Sequence, residues 1–359
     1  MSLRVAVCGS GMRSRSVWQP QVHELDGIEL VGVQDVSRES LDAAVAAGTL
    51  TEDRAYVDLD ALLRETRPNV LLVCPIHSAH AAAALAGLEA GCHVLVEKPL
   101  ATSLADACRL VETAHERALA LGVVQNWRTK TVGRRLRDAI AAGEIGTVSH
   151  IFFRYLRDRE LPHLPGYLFG EEDPLLYAMS IHHFDLFRYV LGQEIAHVDV
   201  RAARPAWSRY ESESILQAWL ETDGGVVVSY TATFSSRNAH LPQESLQVEG
   251  ELGTLHNEST FFEPPLLLSR RGDAEPLDLT ADEPVRDVEG QYGLADRAVL
   301  ANFRDAVLED APLVSSGEEN LGTLAAIAAA SRSRRERRAF DPRELLAEAR
   351  GLTSSTSRS

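Results

Sequence analysis

Lysine is nearly missing from this chain: of 36 lysine and arginine residues, only Lys98 and Lys130 are lysine. An excess of positive charge is missing too. The formal net charge is −16, which argues against a basic surface for nucleic acid or anionic membrane. No apolar run approaches the roughly 20 residues of a membrane-spanning helix. Met1-Ser2-Leu3-Arg4-Val5 runs straight into a strand pattern, with no signal-peptide segment. Cysteine is sparse. Cys8, Cys74, Cys92 and Cys108 lie in apparent strands or helices without metal-ligand spacing. They read as reduced thiols of a cytoplasmic protein, with no metal site. What is present is ordinary for a soluble globular chain: 359 residues, 45% hydrophobic and 25% charged, enough for two domains of roughly 150 residues each.

A chain that uses arginine for nearly every long cation keeps an amine at Glu97-Lys98-Pro99. Lysine is a compact charge whose proton can leave when burial or neighbours tune it. Residues 93–96 (His-Val-Leu-Val) read as a buried strand. Lys98 therefore stands where a strand ends, the position at which open α/β sheets bind ligands. The blander alternative is a surface lysine that escaped the arginine bias.

The N-terminal third carries a second signal. Leu3 to Cys8 is a strand pattern, followed by Gly9-Ser10-Gly11-Met12-Arg13-Ser14 and a helix start. In a dinucleotide site the first glycine allows the tight turn, and the second lets the backbone approach a pyrophosphate on the helix N-terminus. The third glycine position holds Ser14. Residues 28–34 read as the next strand, and Asp35 at its end lies 24 residues after Gly11. That is close to the spacing of an acid that binds the adenosine ribose. A carboxylate there favours NAD over NADP, although Arg38 just beyond it is able to pair with a 2′-phosphate; a turn aspartate capping the next helix is the alternative. Strands at 69–73, 93–96 and 123–126 alternate with helices at 78–90 and 104–120, the pattern of a doubly wound parallel sheet.

Together with Glu97-Lys98-Pro99, several further runs resemble the Gfo/Idh/MocA family, the relatives of glucose–fructose oxidoreductase and inositol dehydrogenase. They are Cys74-Pro75-Ile76-His77-Ser78-Ala79-His80, Gln125-Asn126-Trp127-Arg128, Gly143-Glu144-Ile145-Gly146-Thr147-Val148 and Ile181-His182-His183-Phe184-Asp185-Leu186. The resemblance spans nearly the whole chain. It implies an α/β N-terminal Rossmann domain and an α+β C-terminal domain with an open, mostly antiparallel sheet. It also implies reversible hydride transfer between a nicotinamide and the hydroxyl-bearing carbon of a sugar, cyclitol or related polyol. Lys98 then contacts the reacting oxygen or relays its proton, with a proline after it that is often cis, and His182 is the acid/base near the substrate hydroxyl. Dinucleotide contacts are expected from Gly9, Ser10, Gly11, Met12, Arg13, Asp35, Arg38, Cys74, His77, His80, Glu97, Lys98 and Gln125. Substrate contacts are expected from Lys98, Trp127, Arg128, Tyr155, His182 and Asp185. The family often has asparagine where His77 stands and an aspartate where Ala178 stands.

Beyond Thr147 the pattern changes. Residues 148–155, 197–203, 214–221, 226–234 and 245–249 read as strands, with Asp223-Gly224-Gly225 as a hairpin turn. One helix, 174–191, ends at Gly192 and places Ala178, His182 and Asp185 on one face. Asp185 suits a structural contact as well as a substrate, and His183 faces elsewhere. Arg154, Arg157 and His163 are further polar candidates. Residues 261–287 look like an edge strand with long loops, and 292–309 and 318–335 are helical. The basic run 332–338 suits a solvated helix end. The expected division is 1–125 for the dinucleotide-binding domain, 126–350 for the substrate-binding and oligomerisation domain, and 351–359 for a disordered tail, with the late helices as candidates to pack back on the first domain.

The leading expectation is an NAD-dependent dehydrogenase acting on CH–OH groups, with NADP possible, forming a homodimer or homotetramer through the open sheet. A redox-neutral NAD-dependent lyase or glycosidase is one alternative. A non-catalytic NAD- and sugar-binding regulator, favoured by Ala178, is another.

Overall fold

The computed structural model describes residues 2–162, 164, 166–237, 240–283 and 288–351. His163 and the tail from residue 352 onward lie outside the described residues. The chain divides into two compact units: Met1–Thr129 with Arg286–Leu321, and Lys130–Val285 with Gly322–Ser359.

In the first unit, β1 (Leu3–Cys8), β2 (Ile28–Gln34), β3 (Ala55–Tyr56), β4 (Val70–Val73), β5 (His93–Glu97) and β6 (Leu121–Val124) form a sheet in the order β3-β2-β1-β4-β5-β6. Every neighbouring pair is parallel. Parallel neighbours need crossovers, which α1 (Gln19–Glu24), α2 (Arg38–Ala46), α3 (Leu59–Thr66), α4 (His80–Glu89) and α5 (Leu104–Glu116) supply. All four residues of β4 are buried, as a strand covered on both faces requires. Helix starts follow local chemistry: the side chains of Ser37, Asp58 and Ser103 accept from backbone N–H groups of the first turns of α2, α3 and α5. The strand order reverses between β1 and β4, so the turns after these two strands flank the crevice where open sheets take ligands.

The boundaries around β6 differ from the sequence reading. The helix expected over 104–120 stops at Glu116, because Ala118 turns left-handed with φ 52°. β6 therefore starts at Leu121, and Asn126–Arg128 forms a short 3-10 turn rather than the end of a strand.

In the second unit, α6 (Thr131–Ala141) precedes β7 (Val148–Leu156), and α7 (Ile181–Leu191) precedes β8 (Ile195–Ala203). β9 (Ile215–Thr222), β10 (Val227–Thr233), β11 (Glu244–Gly250), β12 (Gly253–Ser259), β13 (Leu267–Arg270) and β14 (Leu277–Asp278) complete a sheet in the order β14-β13-β12-β11-β7-β10-β9-β8. Only β10 with β7 is parallel; the other neighbours are antiparallel. Successive residues of β7 point to opposite faces. Ile151, Phe153 and Tyr155 are buried, and Phe153 packs on His183 and Phe187 of α7 with ring centroids 4.5 and 5.5 Å apart. The other face carries exposed Phe152 and Trp219, with His150 stacked on Phe152 at 4.1 Å. Strand β12 and helix α6 were not read from the sequence as elements, and the single edge strand expected over 261–287 is two short strands, β13 and β14.

Three late helices follow. α8 (Val288–Glu309) belongs to the first unit and adds Val299, Leu300 and Phe303 to that unit's core. α9 (Gly317–Glu336) starts in the first unit and continues in the second, and α10 (Pro342–Ala349) belongs to the second.

Candidate functional site

The turn after β1 is built for close approach. Gly9 has φ +98°, and a Cβ there would sit 2.5 Å from the Cys74 carbonyl oxygen at the end of β4. Only glycine fits both conditions. At Gly11 the reverse holds: a Cβ would meet nothing within 4 Å among the described residues, which leaves the backbone open to a ligand. The Ser10 amide donates to Asp35 Oδ2 at 2.7 Å, and Asp35 Oδ1 accepts from the Ser37 amide at 2.8 Å. Asp35 thus ties the turn to the end of β2. Ser14, at the third glycine position, is fully buried, and its hydroxyl accepts from Gln19 Nε2 at 3.2 Å, as the Ser10 hydroxyl does at 3.3 Å. Serine therefore fits where the glycine pattern is imperfect. The helix opens with a π turn over Ser14–Trp18, and Met12 beside it is exposed. Arg38 is held by two acids: its Nε donates to Asp42 at 2.8 Å and its Nη2 pairs with Glu52.

At the end of β5 sits a buried charge cluster. Glu97 Oε1 accepts from Arg13 Nε at 2.8 Å and Trp18 Nε1 at 2.9 Å, while Oε2 accepts from the Lys98 backbone amide at 3.2 Å. Arg13 Nη2 reaches Asp296 Oδ1 of α8 at 2.6 Å, and Asn126 Nδ2 donates to the same oxygen at 2.9 Å. Burial pushes Asp296 up to about 6, with Arg13 pulling it down. Burial also works to raise Glu97, but the charge and hydrogen bond of Arg13 outweigh it and hold this carboxyl below its usual range.

Lys98 is half-buried, and its bond to Pro99 is cis. The Pro99 carbonyl accepts from His80 Nδ1 at 2.6 Å; His80 Nε2 lies 3.4 Å from the Pro75 carbonyl. The proton is placed on Nδ1 because its neighbour there is an acceptor at the shorter distance. His80 is buried, so it braces the lysine turn from inside the unit. Burial pushes His77 down to about 3, with the Lys98 charge acting in the same direction. His77 is therefore neutral at neutral pH. Burial also raises the Cys74 thiol well above its usual range. Gln125 and Trp127 are buried just past β6, and the Arg128 guanidinium lies inside the unit, donating to the Val314 carbonyl and pairing with Glu319, both at 2.8 Å.

In the second unit, His182 is the second residue of α7 and is 7% exposed. The turn before it, Leu176–Ser180, is a π turn that contains Ala178, a winding the helical spacing did not predict. Asp185 is fully buried and accepts from Thr323 Oγ1 of α9 at 2.8 Å. His183 is fully buried, with Nδ1 2.9 Å from the Tyr230 hydroxyl, and burial pushes it down to about 3. It is a neutral core histidine. Tyr155, also fully buried, lies 5.1 Å from the His183 ring, and burial pushes its hydroxyl up to about 12 against the pull of Arg157. Arg157 stacks over Phe261 at 4.8 Å, and Arg154 pairs with Glu258 at 3.0 Å.

The sequence reading missed Trp18, Asn126, Asp296 and Glu244. Asp296 had a signal: it lies on the same stripe as Val299, Leu300 and Phe303, which are buried, and an acid on an apolar stripe needs a partner. Glu244, opposite Tyr155 in the sheet, is pushed up to about 7 by burial. Among the described residues no group of three or more His, Cys, Asp or Glu side chains is placed to hold a metal ion. Among the described residues no helix is long and apolar enough to cross a membrane.

Residues 3–125 match the family model described as oxidoreductase family, NAD-binding Rossmann fold, and residues 134–256 match the GFO/IDH/MocA C-terminal domain. The chain is 29% identical to a D-apiose dehydrogenase of Paraburkholderia graminis, over 98% of this chain and 93% of that protein. It is 30% identical to inositol 2-dehydrogenase 1 of Saccharopolyspora erythraea, over 80% of this chain and 82% of that protein. An oxidoreductase from Agrobacterium radiobacter, solved in complex with NAD+, L-tartaric acid and magnesium, has the same fold. Its TM-score is 0.86 at 19% identity, covering 96% of this chain and all of that one.

Proposed function

Because the chain belongs to the GFO/IDH/MocA family of NAD-binding oxidoreductases, we propose that it transfers a hydride between NAD and a hydroxyl-bearing carbon of a sugar, cyclitol or related polyol. The observation that carries this reading is Lys98. It is one of only two lysines. It follows directly on β5, its amide is held by buried Glu97, and its proline carbonyl is held by His80. NAD, when bound, supplies the hydride acceptor. The chain's part is to hold the dinucleotide and to move the hydroxyl proton. The backbone from Gly9 to Met12 takes the pyrophosphate, and Asp35 the adenosine ribose. Cys74, His77, Glu97 and Gln125 belong to the nicotinamide side. The Lys98 amine takes the proton of the substrate hydroxyl during oxidation and returns it during reduction, with His182 as the second acid/base. A neutral His77 beside Lys98 adds no competing positive charge.

NAD is favoured over NADP because Arg38, three residues beyond the ribose acid, is already paired with Asp42 and Glu52. A 2′-phosphate would have to draw it away from both and also approach Asp35. The protein works as a homodimer or homotetramer. Exposed Phe152 and Trp219, which face the same side of the second unit's sheet, are the surface aromatics that a subunit interface would cover. Cysteine is sparse, and three of the four thiols are buried, which suits the cytoplasm.

The test is a panel of polyols, aldoses and cyclitols assayed for NAD reduction. Sustained NADH formation on at least one member supports the reading. Product without net NADH assigns the redox-neutral alternative. Binding of NAD and sugar without turnover assigns a regulator, the outcome that Ala178 in place of an aspartate favours.

A further inference from the structure

The cluster behind Lys98 joins three charges from distant parts of the chain. Arg13 comes from the glycine turn, Glu97 from the end of β5 and Asp296 from α8, separated from Arg13 by 84 and 283 residues. A guanidinium keeps its proton at any working pH. One guanidinium with two ionised carboxylates leaves one excess negative charge. Two groups are able to meet that excess: a proton on Asp296, or the Lys98 ammonium. The first has a prepared place, because Asp296 Oδ2 is buried without a hydrogen-bond partner among the described residues. The second is coupled through Glu97, whose carboxylate holds the Lys98 amide and feels the Lys98 charge.

The other titratable groups nearby do not supply this charge. Burial raises the Cys74 thiol, which faces both carboxylates and Arg13, so it stays neutral. Burial lowers His77 and His80, which face Lys98 and Glu97, so they stay neutral at neutral pH as well. Asn126 donates a hydrogen bond and carries no charge.

We propose that Arg13 and Asp296 are positioning residues for Lys98: they hold the Glu97 carboxylate against the Lys98 backbone and, through the ionisation of Asp296, set how tightly the Lys98 amine keeps its proton. Above about pH 6 Asp296 is ionised and the ammonium is favoured; below it the cluster is neutral. The catalytic meaning of this control rests on the proposed proton-carrying role of Lys98. The control itself does not depend on a substrate.

Scarcity of lysine makes the test direct. In the full-length protein without substrate, competitive acetylation with acetic anhydride is followed across pH by mass spectrometry of the Lys98 peptide. Lys130 is the internal reference, since its amine is bound to the Phe261 carbonyl and Glu263, each at 2.6 Å. The isosteric Asp296→Asn removes one negative charge and should lower the midpoint of Lys98 labelling by about 0.5 to 1 pH unit, with Glu97→Gln lowering it by about one unit or more. The double variant Arg13→Gln/Asp296→Asn has the same net cluster charge as wild type, so its midpoint should return toward the wild-type value. A merely structural role would not produce that return. An unchanged midpoint in Asp296→Asn, or a double variant no nearer to wild type than the single, overturns the proposal. If Arg13→Gln does not fold, Asp296→Asn with Glu97→Gln decides it. Failure of every substrate in the NAD assay would leave this labelling result unaffected.

Discussion

Alanine at Gly9 and alanine at Gly11 should do opposite things, two residues apart. At Gly9 the new methyl would lie 2.5 Å from the Cys74 oxygen, 2.6 Å from the Cys74 carbon and 2.6 Å from the Pro75 nitrogen, all backbone atoms, at φ +98°. A left-handed backbone costs an L-residue roughly 1–2 kcal/mol, and forcing a methyl into packed atoms costs roughly 1–3 kcal/mol more. Gly9→Ala should therefore destabilise by about 2–5 kcal/mol, a large share of the ~5–15 kcal/mol by which domains are stable. At Gly11 the added methyl would meet no atom within 4 Å among the described residues, its chain neighbours aside. The fold should be unharmed or gain about 0.4–1 kcal/mol from a stiffer unfolded chain. If the pyrophosphate passes over Gly11, however, that methyl occupies its approach, and NAD affinity should fall at least about tenfold, or ~1.4 kcal/mol. Urea denaturation measures the first effect and NADH titration by fluorescence the second. Gly11→Ala binding NADH as wild type does would refute the placement of the pyrophosphate. Gly9→Ala as stable as wild type would refute the rigid contact between the two turns.

Other expectations follow from single contacts. Asp42→Ala with Glu52→Ala should free Arg38 and raise NADP affinity relative to NAD in calorimetric titration, and Asp35→Ser should narrow the same gap; no change in either would remove the specificity argument. Folded His183 sits near 3 against 6.5 for its ordinary value, so the stability it contributes is full above pH 6.5 and is lost as pH falls toward 3. Urea melts between pH 7 and 4 should accordingly be less steeply pH-dependent in His183→Asn. Phe152→Asp with Trp219→Asp should reduce the assembly to a monomer of 39.3 kDa by light scattering, whereas a wild-type protein already monomeric at micromolar concentration would contradict an interface on this face.

Much of the first unit was legible because its signals are local. Continuous apolar runs mark strands buried on both faces, and the residues at their ends mark the rim. Lys98 stood out by scarcity of its residue type. The reading failed where one residue's backbone state decided the outcome. Ala118 is a good helix former by type, yet it turns left-handed and ends α5. It failed again at β12, where polar residues interrupt the alternation that marks a strand, and over 261–287, where one edge strand was expected and two short ones form. The charge cluster was only half legible. Glu97 and Arg13 were named from motifs, but Asp296, the second acid held by Arg13, comes from a helix whose return to the first unit depends on tertiary packing. Asp185 was placed on a face by helical spacing alone, and spacing does not reveal that Thr323 waits on α9 to bind it.

Lys98→Met tests the central claim most directly, because it removes the amine while keeping an unbranched side chain one atom shorter. With any polyol or sugar that supports NAD reduction by wild type, turnover should fall by about 10² or more, the usual contribution of a general acid–base group. NAD affinity should stay within a few-fold of wild type. A Lys98→Met enzyme that reduces NAD at the wild-type rate would contradict the account.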